Sequence, residues 1–205
     1  MENNILSDNK QKIKKPPLNK TKIITYSAML SALGMVIVFF MPTFNIGITT
    51  VTPGSHVAVM IAMLIHPIVG IAVAVCTALA FVFKGVPPEV LFRAFSHLVF
   101  VIPGSFLAQK MFHTKKTDAS LKTLTVRAGV LNGITAAIHA IAEVGSILLA
   151  FIILDVFANF RTVDVSAYAL FVVIGLITLA HSLVDFSISF FIFLSLKKAH
   201  LTDLH

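Results

Sequence analysis

Hydrophobic positions along the chain fall into long runs separated by short polar or Pro/Gly-containing segments. A membrane-spanning helix needs about 20 mostly apolar residues. The first run covers residues 23–41 and is stopped by Pro42. Residues 42–54 (PTFNIGITTVTPG) are rich in Thr, Gly and Pro and read as a loop. Residues 55–83 are apolar but broken at His66-Pro67. Pro67 cannot donate a backbone N–H and disfavours helix at the residue before it. One kinked helix and two short helices both fit that break, and the pattern favours two, 55–65 and 68–83. The segment KGVPP ends the pair, followed by a run at 89–108, a basic connector at 109–125, a run at 126–154, a polar loop at 155–166 and a last run at 167–196. The pattern predicts an all-α integral membrane protein with six transmembrane helices. A basic cytoplasmic tail (1–22) precedes the membrane domain (23–198), and a short cytoplasmic tail (199–205) follows it.

Charge supplies an independent check on the helix count. With six spans and a cytoplasmic N-terminus, 13 of the 16 Lys and Arg residues fall inside, only Lys84 and Arg161 fall outside, and Arg93 lies within a span. Fusing the second and third helices would carry the later basic clusters to the wrong side, so the positive-inside rule supports six. The formal net charge of +7 is therefore mostly topology. Composition agrees: 57% of residues are hydrophobic and 12% charged, against about 25% charged in soluble domains, and mean hydropathy is +0.93. These values exclude an ordinary soluble domain, a nucleic-acid binder and a disordered chain. The basic start followed by a long apolar run without a small-residue cleavage site does not read as a cleavable signal. The single cysteine, Cys76, excludes internal disulfides. No phosphate-cradling Gly-rich loop followed by Lys-Ser/Thr is present, so the chain is not expected to hydrolyse ATP itself.

Ionisable groups inside spans are costly, and each is a functional candidate. Three helices carry them at i,i+4 spacing: Arg93/His97, His139/Glu143 and His181/Asp185. Residues four apart share a helix face, so each helix directs one polar stripe inward. Depth along the helices brings Arg93, His97, His139 and Glu143 together in the outer half, while Asp185 lies about 6 Å further inward than His181. Two readings stand for each pair: mutual neutralisation between helices, or a ligand site. For Arg93 the alternatives are snorkelling to the outer interface and bidentate recognition of a small carboxylate. His56 reads either as a helix-start polar residue or as part of a site. His66 reads as structural, and Asn132 as an interhelical hydrogen-bonding group. With no Trp and two Tyr, a large aromatic sandwich is disfavoured, although 18 Phe leave stacking open. No metal or other cofactor is expected.

The first helix carries Ser27/Ser31 and Ala28/Ala32, two small-residue pairs at i,i+4 that let another helix approach closely. Together with six helices, a basic cytoplasmic start, a Thr/Gly-rich first loop (residues 41–57, MPTFNIGITTVTPGSHV) and a short second helix, the chain resembles the substrate-binding S components of energy-coupling-factor (ECF) vitamin transporters over residues 20–198. The resemblance implies a multi-pass cell-membrane protein of a Gram-positive bacterium. It would bind a vitamin near the extracellular side and work with a transmembrane coupling subunit and two ATPase subunits. Carried over, it makes Ala28 and Ala32 docking residues and draws the ligand site from Asn45, Thr49 and Thr50 of the first loop with Arg93, His97, His139 and Glu143. The expected ligand is a small carboxylate vitamin. Pantothenate is favoured for its carboxylate, hydroxyls and amide; nicotinate, pyridoxine or a thiamin precursor are the alternatives.

Two readings from other classes stand beside this one. An ion-coupled secondary carrier needs no ATPase partner. An intramembrane metalloenzyme would use His139, Glu143, His181 and Asp185, but no third histidine shares either stripe and no His-Glu-x-x-His motif occurs.

Overall fold

The computed structural model describes residues 19–46, 49–113, 120–158, 169–199 and 201. Asn19 caps α1 (Lys20–Phe40), its side chain accepting the Lys22 N–H at 3.1 Å, so the helix begins inside the expected tail. A small antiparallel hairpin, β1 (Phe44–Ile46) and β2 (Thr49–Val51), pairs Phe44 with Val51 and Asn45 with Thr50. Thr43 and Thr52 close its base through their hydroxyls at 3.0 Å. The sequence reading had this stretch as a loop. Its β-branched residues on either side of Gly47 favour a short hairpin in an otherwise all-α fold.

The break at His66-Pro67 separates two helices, α2 (Val57–Ile65) and α3 (Pro67–Lys84). His66 is extended and caps α3 by accepting the Ile68 N–H at 3.2 Å. Pro67 takes the first helical position, where its missing N–H costs nothing. Then follow α4 (Pro88–Phe112), α5 (Leu121–Ala158), a π-helical turn (Ala169–Ile174) and α6 (Gly175–Lys198).

Five of these helical stretches are long and apolar enough to cross a membrane: Lys20–Phe40, Pro67–Lys84, Pro88–Phe112, Leu121–Ala150 and Val172–Lys198. The short helix α2 completes the expected six helices. Its nine residues rise about 13.5 Å, less than half of a hydrocarbon core of about 30 Å. It is the centre of the bundle instead: α1, α3, α4 and α6 pack around it, and every residue from Ala58 to Ile65 is buried.

Contacts at the two ends fix this arrangement. At one end Lys84 Nζ donates to Val38 O at 2.6 Å, joining the C-termini of α3 and α1. At the other end Gln109 Nε2 donates to Ile65 O at 2.8 Å, Arg127 Nη1 to Met111 O at 2.8 Å and Lys197 Nζ to Phe112 O at 2.9 Å, while Tyr26 Oη donates to Leu201 O. The start of α1 and the end of α6 therefore share one end, the lysine-rich end that charge assigns to the cytoplasm. Gly34 permits the close approach of α1 and α3: a Cβ there would collide with the Thr77 hydroxyl. Of the two small-residue pairs on α1, Ser31 turns into the bundle, and Ala28 and Ala32 are exposed on the outer face beside Met29 and Leu33.

Candidate functional site

The polar stripes of α4, α5 and α6 converge beneath the hairpin at the outer end. Arg93, one turn into α4, donates from Nε to Glu143 Oε1 at 2.5 Å, and its Nη2 forms an ion pair with the same carboxylate. The other edge of the guanidinium reaches the hairpin: Nη2 donates to the Thr50 carbonyl at 3.1 Å and Nη1 to its hydroxyl at 3.4 Å. Arg93 thus ties the hairpin to α4 and α5. Arg93 is neutralised by Glu143 rather than snorkelling, and its side chain keeps 16% exposure against 4% for Glu143.

His56 is the hub of the deeper layer. The turn before α2, with Gly54 at φ 73°, places Ser55 and His56 at the head of that helix. From there His56 reaches three other helices. Its backbone N–H and Nδ1 both lie 3.2 Å from Asp185 Oδ2 on α6, its Nε2 lies 3.0 Å from His97 Nε2 on α4, and its ring centroid is 4.6 Å from that of His139 on α5. His181 Nε2 joins at 3.3 Å from both Ser55 Oγ and Asp185 Oδ2. His139 Nδ1 meets Ser182 Oγ at 3.3 Å, and its Nε2 stands 3.4 Å from Glu143 Oε2 without hydrogen-bond geometry. Four imidazoles, two carboxylates and one guanidinium are held inside a membrane domain, where unpaired charge is expensive.

A small cavity with an open mouth lies above this layer. Thr50, Arg93, His97 and Glu143 line it, and so do Ser55, His56, Thr178 and His181. Phe81, Val90 and Ile177 supply apolar wall. His139 is fully buried and does not line the cavity; it backs His56 and His97. The side chains of Asn45 and Thr49 lie outside the described residues, although both backbones pair in the hairpin. Asn132 donates to Leu183 O at 3.1 Å, the interhelical bond its position suggested.

The sequence reading left His56 without a committed role and set Asp185 apart as an outlier, whereas the structure joins them. A stronger signal was present on α6. Thr178, Ser182, Asp185 and Ser189 are all buried and recur at helical spacing, forming a polar stripe that faces inward. The third histidine missing from either sequence stripe is brought in from other elements, by His56 and His97.

No family model matches the chain, and no solved structure matches it. Among curated proteins, the Niacin transporter NiaX of Lactococcus lactis subsp. cremoris (strain MG1363) is 30% identical over 189 residues, covering 90% of this chain and 79% of the relative. The relative is a transporter, not an enzyme. The chain, a multi-pass cell-membrane protein, belongs to the substrate-binding S components of ECF-type vitamin transporters.

Proposed function

We propose that this S component binds nicotinate in the outer cavity and hands it to an ATP-driven ECF module for import. The observation that carries the reading is Arg93, a half-shielded guanidinium at the wall of a small cavity whose other surfaces suit a flat ring. A carboxylate accepts two parallel N–H bonds from such a group, and it enters as a competitor of Glu143 for Arg93. Phe81, Val90 and Ile177 offer apolar contact to the ring. The imidazole of His181, on the cavity wall, has the chemistry to meet a pyridine nitrogen. The name of the Lactococcus relative supports the same ligand. Pantothenate, the first expectation from sequence, shares the carboxylate but lacks the ring, and no relative speaks for it.

Titration calorimetry of the detergent-purified chain against nicotinate, nicotinamide, pantothenate, pyridoxine and thiamin tests this directly. Nicotinate should bind tightest, and nicotinamide, which lacks the charge, far more weakly. Arg93→Ala should weaken nicotinate binding by about 10- to 150-fold, the range of a lost charge-assisted hydrogen bond of about 1.5–3 kcal/mol. Unchanged affinity in that variant, or a preference for pantothenate, would overturn the assignment.

The exposed pair Ala28/Ala32 is the proposed contact with the coupling subunit, because small side chains on an outward face allow close helix approach. Ala28→Leu with Ala32→Leu should leave nicotinate affinity within about twofold and abolish ATP-dependent uptake in vesicles containing the whole ECF complex. A loss of binding instead would mean that this face supports the bundle.

A further inference from the structure

The histidines beneath the cavity are arranged for more than mutual hydrogen bonding. One nitrogen from each of His56, His97 and His139 lies within 4.8 Å of the others, and the His56 and His97 Nε2 atoms face each other at 3.0 Å. Zinc–imidazole bonds of about 2.0–2.1 Å put two nitrogens of a tetrahedral site about 3.3 Å apart, so this edge already has the span of a metal-ligand pair. The outer nitrogens of two of the three are held as metal ligands require. His56 Nδ1 lies 3.2 Å from Asp185 Oδ2, which turns its Nε2 lone pair toward His97 Nε2, and Ser182 engages His139 Nδ1 while His139 Nε2 is buried with no hydrogen-bond partner. His97 Nδ1 is likewise buried without a partner. A carboxylate behind a ligating histidine fixes its tautomer and raises its basicity.

Charge balance points the same way. Glu143 is neutralised by Arg93. Asp185, 2% exposed, has only the backbone N–H of His56 and the imidazoles of His56 and His181 as polar side-chain partners among the described residues. A cation bound to His56 would supply the missing positive charge one imidazole away. Three imidazoles suit zinc, nickel, cobalt or copper, and not the hard cations that take oxygen ligands.

The geometry points to a divalent transition-metal site formed by His56, His97 and His139 at the floor of the cavity, with Asp185 as the carboxylate that orients His56. His56 and His97 also line the cavity, so the fourth coordination position opens toward it. The proposal does not rest on the nicotinate reading. Metal binding without nicotinate binding would sustain the one and sink the other, and the converse result would do the opposite.

The test uses the full chain without a histidine tag, stripped with chelator in detergent and titrated with Zn²⁺ alone. One equivalent should bind. His97→Gln and His139→Gln should each weaken binding by more than tenfold, Asp185→Asn by about 10- to 100-fold as an outer partner, and His113→Gln, at the cytoplasmic end, should leave it unchanged. Since a core variant that misfolds would also lose zinc, Co²⁺ added to the unmodified chain gives a second readout. Intense visible d–d bands report a four-coordinate nitrogen site, and weak bands report only hydrated ion. Absence of saturable Zn²⁺ binding, zinc binding insensitive to the His97 and His139 changes in folded protein, or a weak Co²⁺ spectrum would overturn the proposal. The imidazoles would then form a hydrogen-bonded chain and nothing more.

Discussion

The two ends of the bundle use polar side chains in opposite ways. At the cytoplasmic end, Gln109, Arg127 and Lys197 each reach a backbone carbonyl at or near a helix C-terminus, groups that the helix itself leaves without partners. At the outer end Lys84 and Arg93 also reach backbone carbonyls, of Val38 and Thr50, but most of the polar side chains meet one another: Arg93 with Glu143, His56 with Asp185 and His97, and His139 with Ser182. A carbonyl at a helix end has no second use, so a side chain bonded to it is committed to holding the fold. Side chains bonded to each other can exchange a partner for a ligand of similar chemistry. The outer end is therefore where a small anion can enter at low cost, and the inner end is where the helices are fastened.

This contrast can be broken most forcefully at Glu143. Removing one member of a buried ion pair strands the other, at about 3–5 kcal/mol, so Glu143→Ala should lower the melting temperature in detergent markedly. Saturating nicotinate should then raise it by more than in the unmodified protein, because the ligand carboxylate takes the vacated place beside Arg93. An equal shift in both proteins would show that the pair does not exchange partners. A smaller effect is expected at Asp185, where Asp185→Ala removes the one oxygen shared by the His56 backbone N–H and Nδ1. Loss of that charged acceptor should cost about 1.5–3 kcal/mol in all, read as a fall in the midpoint of chemical or thermal unfolding. The smallest belongs to the cytoplasmic end. Gln109→Ala gives up one hydrogen bond to Ile65 O and should cost about 1 kcal/mol with nicotinate affinity unchanged. A loss of affinity there would erase the distinction between the two ends.

Much of this architecture was legible in the run lengths. The break at His66-Pro67 was readable because proline's effects are local and act on the residue beside it. The stripes Arg93/His97, His139/Glu143 and His181/Asp185 were readable because a polar residue inside a span has few reasons to be there. The role of His56 was not, since it precedes its helix, shares no periodic stripe, and meets partners 41 and 129 positions away. The hairpin was hidden for a related reason. Three-residue strands carry too little alternation to register, and what fixes them is a tertiary contact, that of Arg93 with Thr50. The shortness of α2 was legible as well, and its apolar residues are matched to neighbouring helices.

The shortness of α2 also constrains how the chain is made. A segment of nine residues is below the length at which hydrophobicity alone partitions a helix stably across a bilayer. α1, α3, α4 and α6 supply the walls that α2 packs against. Ser55 and His56 stand just before α2 and line the cavity, so substitutions that loosen α2 in its socket should appear first as a disturbed cavity in a protein that still inserts.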